Sequence, residues 1–338
     1  MKNFDFSIVI TTKNSLGVIQ RLVEILQDQD FDHSYEVIFM DNSSSDGTVD
    51  YLEKAGFQYQ QIINVPEGHF SHSRTRLEAA ERATGRFIIF FTDDIVPIGK
   101  RFLKALTHPL IENLAAAAYG VFQINERDSD PVDAYLHNDW HLAMEDFSGP
   151  ISASEWNELS PEERRRLSNF DNCASCIDRE LLLKIKFPDV PYGEDMFFAK
   201  RMILNHQKVA ISRQAKFYHW HKMSFSYLLS RMCIDQHLSL KEFQIIYVKS
   251  KTRVMLAILK RMVHRSLISL IRLKIPLRDR FFWMFYNLKI VMADFWGKYM
   301  GTLDESVESK RFSFLDKILF KRKREIIKRI STRSIIRD

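Results

Sequence analysis

The sequence predicts an α/β protein with a doubly wound, mostly parallel sheet, followed by a basic region that is mainly helical. Short β-branched and aromatic runs alternate with amphipathic segments at the spacing of βαβ units. Residues 241–338 hold 24 lysines and arginines against 9 aspartates and glutamates, whereas residues 1–240 hold 25 and 34. The N-terminal part of the chain is therefore acidic and the C-terminal part is basic. The two parts are expected to bind different partners.

The predicted strands are short apolar runs, most of which end in polar residues: Phe6–Thr12, Tyr35–Met40, about 58–64, Phe87–Thr92 and about 115–124. The predicted helices alternate with them, over 16–26, about 73–84 and about 98–107. Five apolar residues in a row open the strand at Phe87, which indicates that it is buried on both faces of the sheet.

Three of these strands end in polar or acidic residues, namely Thr11–Thr12, Asp41 and Asp93–Asp94. Ligands of an open α/β sheet bind beyond the carboxyl ends of its strands, and two neighbouring carboxylates there suit Mg²⁺ or Mn²⁺. The alternative for the aspartate pair is a solvated turn. Together the three strand ends predict a nucleotide pocket. The sequence contains neither the glycine pattern of a dinucleotide-binding fold nor that of a P-loop, so both of these classes are excluded.

The three cysteines, Cys173, Cys176 and Cys233, are too few for a disulfide framework and fit a reducing compartment. The Cys-x-x-Cys spacing of the first two has no second cysteine pair to complete a zinc site, so they are predicted to pack as small residues. The chain starts without the pattern of a signal peptide, and it contains no long uncharged apolar stretch. A cytoplasmic location is expected.

The chain resembles the inverting glycosyltransferases of family 2, which have the GT-A fold, and most of all their rhamnosyltransferase-like branch. Five motifs in order carry this resemblance: Ser7–Asn14, Asp41–Thr48, Gly68–Arg76, Phe91–Asp94 and Gly193–Asp195. It covers about residues 5–235. We therefore expect a GT-A domain over 1–240, with a donor half at about 1–124 and an acceptor half at about 125–240, and a helical region over 241–338.

The resemblance implies a nucleoside-diphosphate-sugar donor held by a set of polar side chains: Thr11, Thr12, Asn14, Asp41, Ser44, Asp46, Arg76 and Asp93. Asp41 would accept a hydrogen bond from a pyrimidine base. Arg76 would meet the diphosphate, where a guanidinium offers paired, charge-assisted hydrogen bonds. A solvated helix face is the alternative for Arg76.

The resemblance also implies a divalent metal, Mg²⁺ or Mn²⁺, at Asp94. Thr92 stands where family members often carry a second acid. His219 and His221 lie two residues apart, so on an extended segment they would point the same way, and His221 is the predicted further ligand. The alternative is a structural pair of histidines that packs with Trp220.

Glu194 and Asp195 stand where an apolar helical pattern begins, and helix capping is the alternative explanation for both. The resemblance implies that Asp195 is the general base that takes the proton of the acceptor hydroxyl. Glu194, His72, His219 and Trp220 would then support the acceptor side. A structural role is the alternative for His72.

The basic region is predicted to form amphipathic helices that lie on an anionic membrane surface. Six basic residues share one arc of a helical wheel: Arg253, Lys260, Arg261, His264, Arg265 and Arg272. Residues 281–286 add an aromatic cluster, and residues 316–330 repeat the amphipathic pattern. A helical domain with a solvated basic face is the alternative. Nucleic acid is not an expected partner, because the basic run Lys321–Arg324 belongs to no recognised nucleic-acid motif.

These features predict a cytoplasmic enzyme, peripheral on the inner face of the cell membrane, that moves a sugar from a nucleoside diphosphate to a glycan or a lipid-linked glycan. Thr92 and Leu77 depart from the family pattern, since Leu77 stands where an asparagine is common. The alternative is therefore a non-catalytic nucleotide- or glycan-binding protein on a degenerate scaffold. A membrane adaptor built on the helical region is a more distant alternative.

Overall fold

A computed structural model describes most of the chain, over residues 3–125, 129–190, 192–273, 275–304 and 313–332. The chain divides into two compact units. The first, here called the sheet unit, comprises 1–125, 137–159 and 166–220. The second, the helical unit, comprises 126–136, 160–165 and 221–338. The division after Trp220 precedes a helix that runs through residue 240, where the sequence placed its domain boundary.

The sheet unit is built on one nine-stranded sheet. Its strands are β1 Phe6–Thr12, β2 Tyr35–Asp41, β3 Gln60–Asn64, β4 Phe87–Thr92, β5 Val96–Pro97, β6 Ala117–Gln123, β7 Phe147–Ser148, β8 Ala174–Asp178 and β9 Val209–Tyr218. The strand order is β3-β2-β1-β4-β8-β6-β9-β5, with β7 paired to β9. The predicted alternation of strands and helices in the first part of the chain is confirmed.

The helices that flank or follow the sheet are α1 Leu16–Gln27, α2 Thr48–Leu52, α3 His72–Arg82, α4 Phe102–Ile111, α5 Pro131–His137, α6 Ala153–Glu158, α7 Pro161–Leu167, α8 Arg179–Ile185 and α9 Glu194–Leu204. A short 3-10 helix spans Trp140–Ala143. The main helices of the helical unit are α10 Phe225–Phe243, α11 Lys251–Ile271, α12 Leu277–Thr302 and α13 Phe314–Thr332.

Strand β1 is the centre of the parallel part of the sheet. All seven of its residues are buried, as expected of a strand that is covered on both faces. It pairs in parallel with both β2 and β4, so that Thr12 lies beside Asp41 and Thr11 lies beside Thr92. The three polar strand ends therefore lie side by side. We call this part of the sheet, with Thr11, Thr12, Asp41, Asp93 and Asp94, the carboxyl edge.

Strand β8 breaks the parallel pattern, because it is antiparallel to both of its neighbours, β4 and β6. Its small residues Ala174 and Cys176 are fully buried within the sheet. Cys173, Cys176 and Cys233 are all free thiols, which agrees with the predicted lack of a disulfide framework. Burial raises the pKa of the Cys173 and Cys176 thiols well above the usual range, so neither is a thiolate at neutral pH.

The helical unit depends on a close approach of α10 to α12 at two glycines. A Cβ atom at Gly297 would lie 2.6 Å from the carbonyl oxygen of Leu229, and one at Gly301 would lie 2.5 Å from that of Cys233. Both distances are far below van der Waals contact, so only glycine fits. The four-residue spacing of the two glycines places them on one face of α12, as in the small-residue motifs of close helix pairs.

Two predictions for the helical region need correction. Arg265 does not belong to a solvated basic arc, because it is buried and its Nη2 donates to Asp130 at 2.7 Å and Asp133 at 2.6 Å. The apolar face of α13 is only partly open, since Phe320 and Ile326 are buried while Phe314 and Ile318 are exposed. Lys323 is buried as well, and its ammonium donates to the carbonyl oxygens of Gly301 and Leu303 near the end of α12.

Among the helices that the structure describes, none has both the length and the apolar character needed to cross a bilayer.

Candidate active site

Two loops at the carboxyl edge are joined by hydrogen bonds between the side chains that were predicted to bind the donor. Asp41, which is buried, accepts from Thr12 Oγ1 at 3.0 Å, from Ser44 Oγ at 2.6 Å and from the Ser44 backbone N–H at 2.9 Å. Asn14 has the left-handed backbone that its loop needs, with φ of 46°. Its backbone N–H donates to Ser44 Oγ, and its side-chain oxygen accepts from the Ser45 N–H.

Asp46 extends this network to the start of two helices. Its carboxylate accepts from the backbone N–H groups of Leu16 in α1 and Thr48 in α2, and from the Thr48 hydroxyl. Desolvation alone would raise the pKa of Asp46, but these hydrogen bonds outweigh it, and the pKa is lowered. The predicted donor-binding residues of these loops therefore hold one another in a fixed arrangement.

The aspartates after β4 occupy different positions at the carboxyl edge. Asp93 is buried, and its Oδ2 accepts from the backbone N–H of Lys13 at 3.2 Å. The carboxylate of Asp94 lies 3.4 Å from Nε2 of His219, which directly follows β9. The predicted metal ligand thus has an imidazole beside it. Thr92, which stands where an acid is common, has a buried hydroxyl without a hydrogen-bond partner among the residues that the structure describes.

The chemistry of this donor set fits a divalent ion. A carboxylate and an imidazole are ligands that Mn²⁺ accepts, and carboxylate oxygen also suits Mg²⁺. His221, the predicted further ligand, has an exposed side chain and is the first residue of the helical unit. Its part in a metal site stays a prediction.

The two remaining acceptor-side residues lie in the sheet unit. Trp220 is half-buried at the end of this unit, two residues beyond β9. His72 is the first residue of α3, and its ring meets the ring of Phe70 edge to face at 5.1 Å. No contact with an acceptor can be read from either position, so their roles stay predictions.

Arg76 lies in the protein interior, which excludes the solvated helix face that was the alternative for it. It is 2% exposed, and its Nη1 donates to Glu194 Oε1 at 2.7 Å, while Glu194 itself is 6% exposed. Nη1 also reaches the His72 carbonyl, Nη2 lies 3.5 Å from that of Asn172, and the guanidinium lies 5.9 Å from the Phe90 ring centroid. The guanidinium is therefore directed at protein groups in an ion pair of the interior, and contact with a diphosphate stays a prediction.

Asp195 follows Glu194 in the first turn of α9, as the sequence predicted. Its Oδ1 accepts from the Met196 backbone N–H at 2.8 Å. The pKa of Asp195 is raised to about 7, chiefly by burial and then by the charges of Glu194 and Asp171, while the hydrogen bond from the Met196 N–H and the charge of Arg76 oppose the rise. A carboxyl group with a pKa near neutrality can both take and release a proton at physiological pH, which a general base requires.

Asp171 and Asn172, just before β8, were missed by the sequence analysis. Asp171 accepts from the Cys173 backbone N–H at 2.8 Å, and its charge acts on Asp195. Asn172 is buried beside Arg76 and donates nothing from Nδ2 to any described residue. An acid–amide pair before a strand occurs in many loops, so the sequence held no signal for them. The charges of Asp171, Asp94 and Arg76 all affect the pKa of the Cys173 thiol, so these groups lie in one region.

Comparison with known proteins gives the same family as the motifs. The family model described as "Glycosyl transferase family 2" matches residues 7–184. TuaG of Bacillus subtilis, a glycosyltransferase assigned to teichuronic acid biosynthesis, is 28% identical over 145 residues, which are 41% of this chain and 55% of that protein. The O-antigen chain rhamnosyltransferase RfbN of Salmonella typhimurium is 25% identical over 217 residues, which are 64% of this chain and 66% of that protein. The chain thus spans less than two-thirds of each relative.

One similar solved structure is the mannosyltransferase PcManGT of Pyrobaculum calidifontis, in complex with GDP-Man and Mn²⁺. The two chains are 16% identical, with a TM-score of 0.51, and the match covers 98% of this chain and 85% of the other. At this identity the likeness concerns the fold alone, and it confirms the predicted GT-A architecture.

Proposed function

Because this chain belongs to glycosyl transferase family 2, we propose that it is an inverting glycosyltransferase with Asp195 as its general base. The observation that carries the proposal is the pair of acids at the start of α9, where Asp195, with its pKa raised to about 7, follows a buried Glu194 that pairs with Arg76. The acceptor is a glycan or a lipid-linked glycan. A non-catalytic binding protein would have no need of a carboxyl group poised to exchange a proton.

The donor is a nucleoside-diphosphate sugar that binds at the carboxyl edge. Thr11, Thr12 and Asp93 face this edge from the strand ends, and the loop network of Asn14, Asp41, Ser44 and Asp46 forms the wall beside them. The relatives point to a deoxyhexose or hexose: RfbN is a rhamnosyltransferase, and PcManGT was solved with GDP-Man.

A divalent ion, Mn²⁺ or Mg²⁺, would be held by Asp94, with His219 beside it and His221 as the further ligand. PcManGT was solved with Mn²⁺. When bound, such an ion neutralises the charge that develops on a leaving diphosphate. The residues at the carboxyl edge orient the donor. Asp195 takes the proton of the acceptor hydroxyl as that oxygen attacks the anomeric carbon. Attack from the face opposite the leaving group inverts the anomeric configuration.

The helical unit would hold the enzyme on an anionic membrane surface at the cytoplasmic side. Helices α11 and α12 leave fourteen large apolar side chains exposed: Met255, Leu256, Leu259, Val263, Leu267, Leu270, Ile271, Leu277, Phe281, Phe282, Met284, Phe285, Leu288 and Met292. On α11 the exposed basic residues Lys260, Arg261 and His264 border this stripe. An apolar stripe edged by cations is typical of helices that lie in the interface of anionic bilayers.

The donor site is tested by a screen of nucleoside-diphosphate sugars, including activated rhamnose and mannose, for thermal stabilisation and hydrolysis with and without Mn²⁺. We expect one donor to stabilise the protein and to be turned over when metal is present. With an acceptor in hand, NMR of the product gives its anomeric configuration, and retention would contradict the inverting mechanism. A protein that neither binds nor hydrolyses any donor would contradict the proposal as a whole.

The membrane surface is tested by flotation with vesicles of phosphatidylcholine alone or with phosphatidylglycerol. We expect binding only to the anionic vesicles and its loss in the Leu259→Glu and Phe285→Glu variants. Leu114→Glu is the matched control, since Leu114 is an exposed leucine of the sheet unit. Equal flotation of all variants would contradict this surface.

A further inference from the structure

We infer that Arg76 is a positioning residue that acts through Glu194 and sets the pH at which Asp195 becomes a base. This inference rests on the proposed role of Asp195 and adds to it a cation of the protein interior. The observation that carries it is the buried ion pair between Arg76 and Glu194. Glu194 directly precedes Asp195, the acid that would take the proton.

Arg76 lies on the buried face of α3, and its guanidinium pairs with Glu194 at 2.7 Å. The carbonyl oxygens of His72 and Asn172 and the Phe90 ring surround the guanidinium on its other sides. Both partners of the ion pair are more than nine-tenths buried. An arginine held in this way has a single orientation.

Glu194 is the first residue of α9. It follows Gly193, whose left-handed backbone (φ of 75°) turns the chain into the helix. The ion pair ties this turn to α3, a segment 118 residues away along the chain. Asp195 is the next residue, so the orientation of its side chain depends on how Glu194 is held.

Three charged groups affect the pKa of Asp195: Glu194 on its own helix, Asp171 in the segment before β8, and Arg76 on α3. Two of the three are acids, and a nearby like charge opposes ionisation. Arg76 is the only cation of this set, and by pairing with Glu194 it offsets the nearer of the two negative charges. Without it, Asp195 would lose its proton only at a more alkaline pH.

The test compares pH profiles of full-length variants whose fold is verified by circular dichroism. In Glu194→Gln the negative neighbour is gone while Arg76 remains, so the acid limb of the kcat/KM profile should move down by about one pH unit. In Arg76→Gln the limb should move up by a similar amount, and in the double variant it should return close to the wild-type position. Arg82→Gln is the matched control on α3, because Arg82 forms only an exposed pair with Glu78, and its limb should not move.

A second measurement follows Asp195 itself, from the pH dependence of its carboxyl ¹³C signal in the apo protein. It needs no activity, and the Glu194→Gln variant keeps the test open if Arg76→Gln fails to fold. Shifts in the expected directions in a protein without transferase activity would preserve this inference and contradict the proposed function. A folded Glu194→Gln variant whose limb and signal stay in place would overturn the inference. A large loss of donor affinity in Arg76→Gln with an unmoved limb would also overturn it, and would place Arg76 on the diphosphate.

Discussion

The acids of the sheet unit fall into two groups that differ in what surrounds them. Asp41 and Asp46 accept hydrogen bonds from backbone N–H groups and hydroxyls of the two segments that they join, at the ends of β1 and β2. Asp195 accepts one such bond from the Met196 N–H and has two acidic neighbours, and Asp94 lies beside an imidazole. At Asp46 the hydrogen bonds outweigh desolvation and lower the pKa, whereas at Asp195 burial and the acidic neighbours raise it. The environment of an acid therefore separates a structural role from a chemical one.

The largest expected effect comes from Asp195→Asn, which keeps the shape of the side chain but cannot take a proton. We expect the transfer rate to fall by about 10²–10⁴-fold, the usual contribution of general base catalysis, while donor affinity is nearly unchanged. Initial rates and donor titrations measure the two quantities separately. Transfer at the wild-type rate would remove Asp195 from the chemical group.

The second effect concerns the metal. His219→Ala and His221→Ala should each weaken Mn²⁺ binding by roughly tenfold or more, because an ion then loses one ligand or the group that orients Asp94. Titration of activity with Mn²⁺ gives the half-saturating concentration. If His221→Ala leaves that concentration unchanged, the ligand set ends at Asp94 and His219.

The third effect tests the structural group. Asp41→Asn puts an amide in place of one carboxylate oxygen, and the amide then faces either the Ser44 N–H or the hydroxyls of Thr12 and Ser44. Leaving such a buried group without its partner should lower the free energy of unfolding by about 2 kcal/mol. Urea unfolding measures it, with Asp50→Asn on an exposed position of α2 as the control. Equal stability of both variants would show that the loop network is not needed for the fold.

The fourth expected effect is a pH dependence of stability. The pKa of Asp195 is raised from 3.8 to about 7 in the folded protein. At pH values between about 4 and 7 the folded state keeps this proton and the unfolded state has released it, so the free energy of unfolding falls as pH rises. Asp195→Asn should lack this part of the slope and should gain stability over the wild type at pH 7.5 relative to pH 5. The same slope in both proteins would contradict the raised pKa.

Much of the carboxyl edge was predictable, because apolar runs that end in Thr11, Asp41 and Asp93 define parallel strands and place their ends together. The antiparallel insertion of β8 was not, since a short run of small residues has no periodicity that fixes its direction. The same limit applies to the ion pair of Arg76 with Glu194, whose members lie 118 residues apart.

The helical unit shows a second limit of sequence periodicity. A helical wheel identifies an apolar face but not what covers it: on α13, Phe320 and Ile326 are buried, whereas Phe314 and Ile318 are exposed. Arg265 belonged to the basic arc by its spacing, yet it is buried against acids more than 130 residues before it. Such long-range pairs require the folded structure.

The hydrogen bonds that join Asn14, Ser44 and Asp41 have a consequence for the thermodynamics of recognition. These side chains already have fixed rotamers before any ligand arrives, so a ligand that meets them loses its own freedom but does not have to order theirs. Each rotamer-rich side chain that is left to be immobilised costs about 0.5–1.5 kcal/mol on binding. The loop network therefore lowers the entropic cost of binding for any ligand that contacts these side chains.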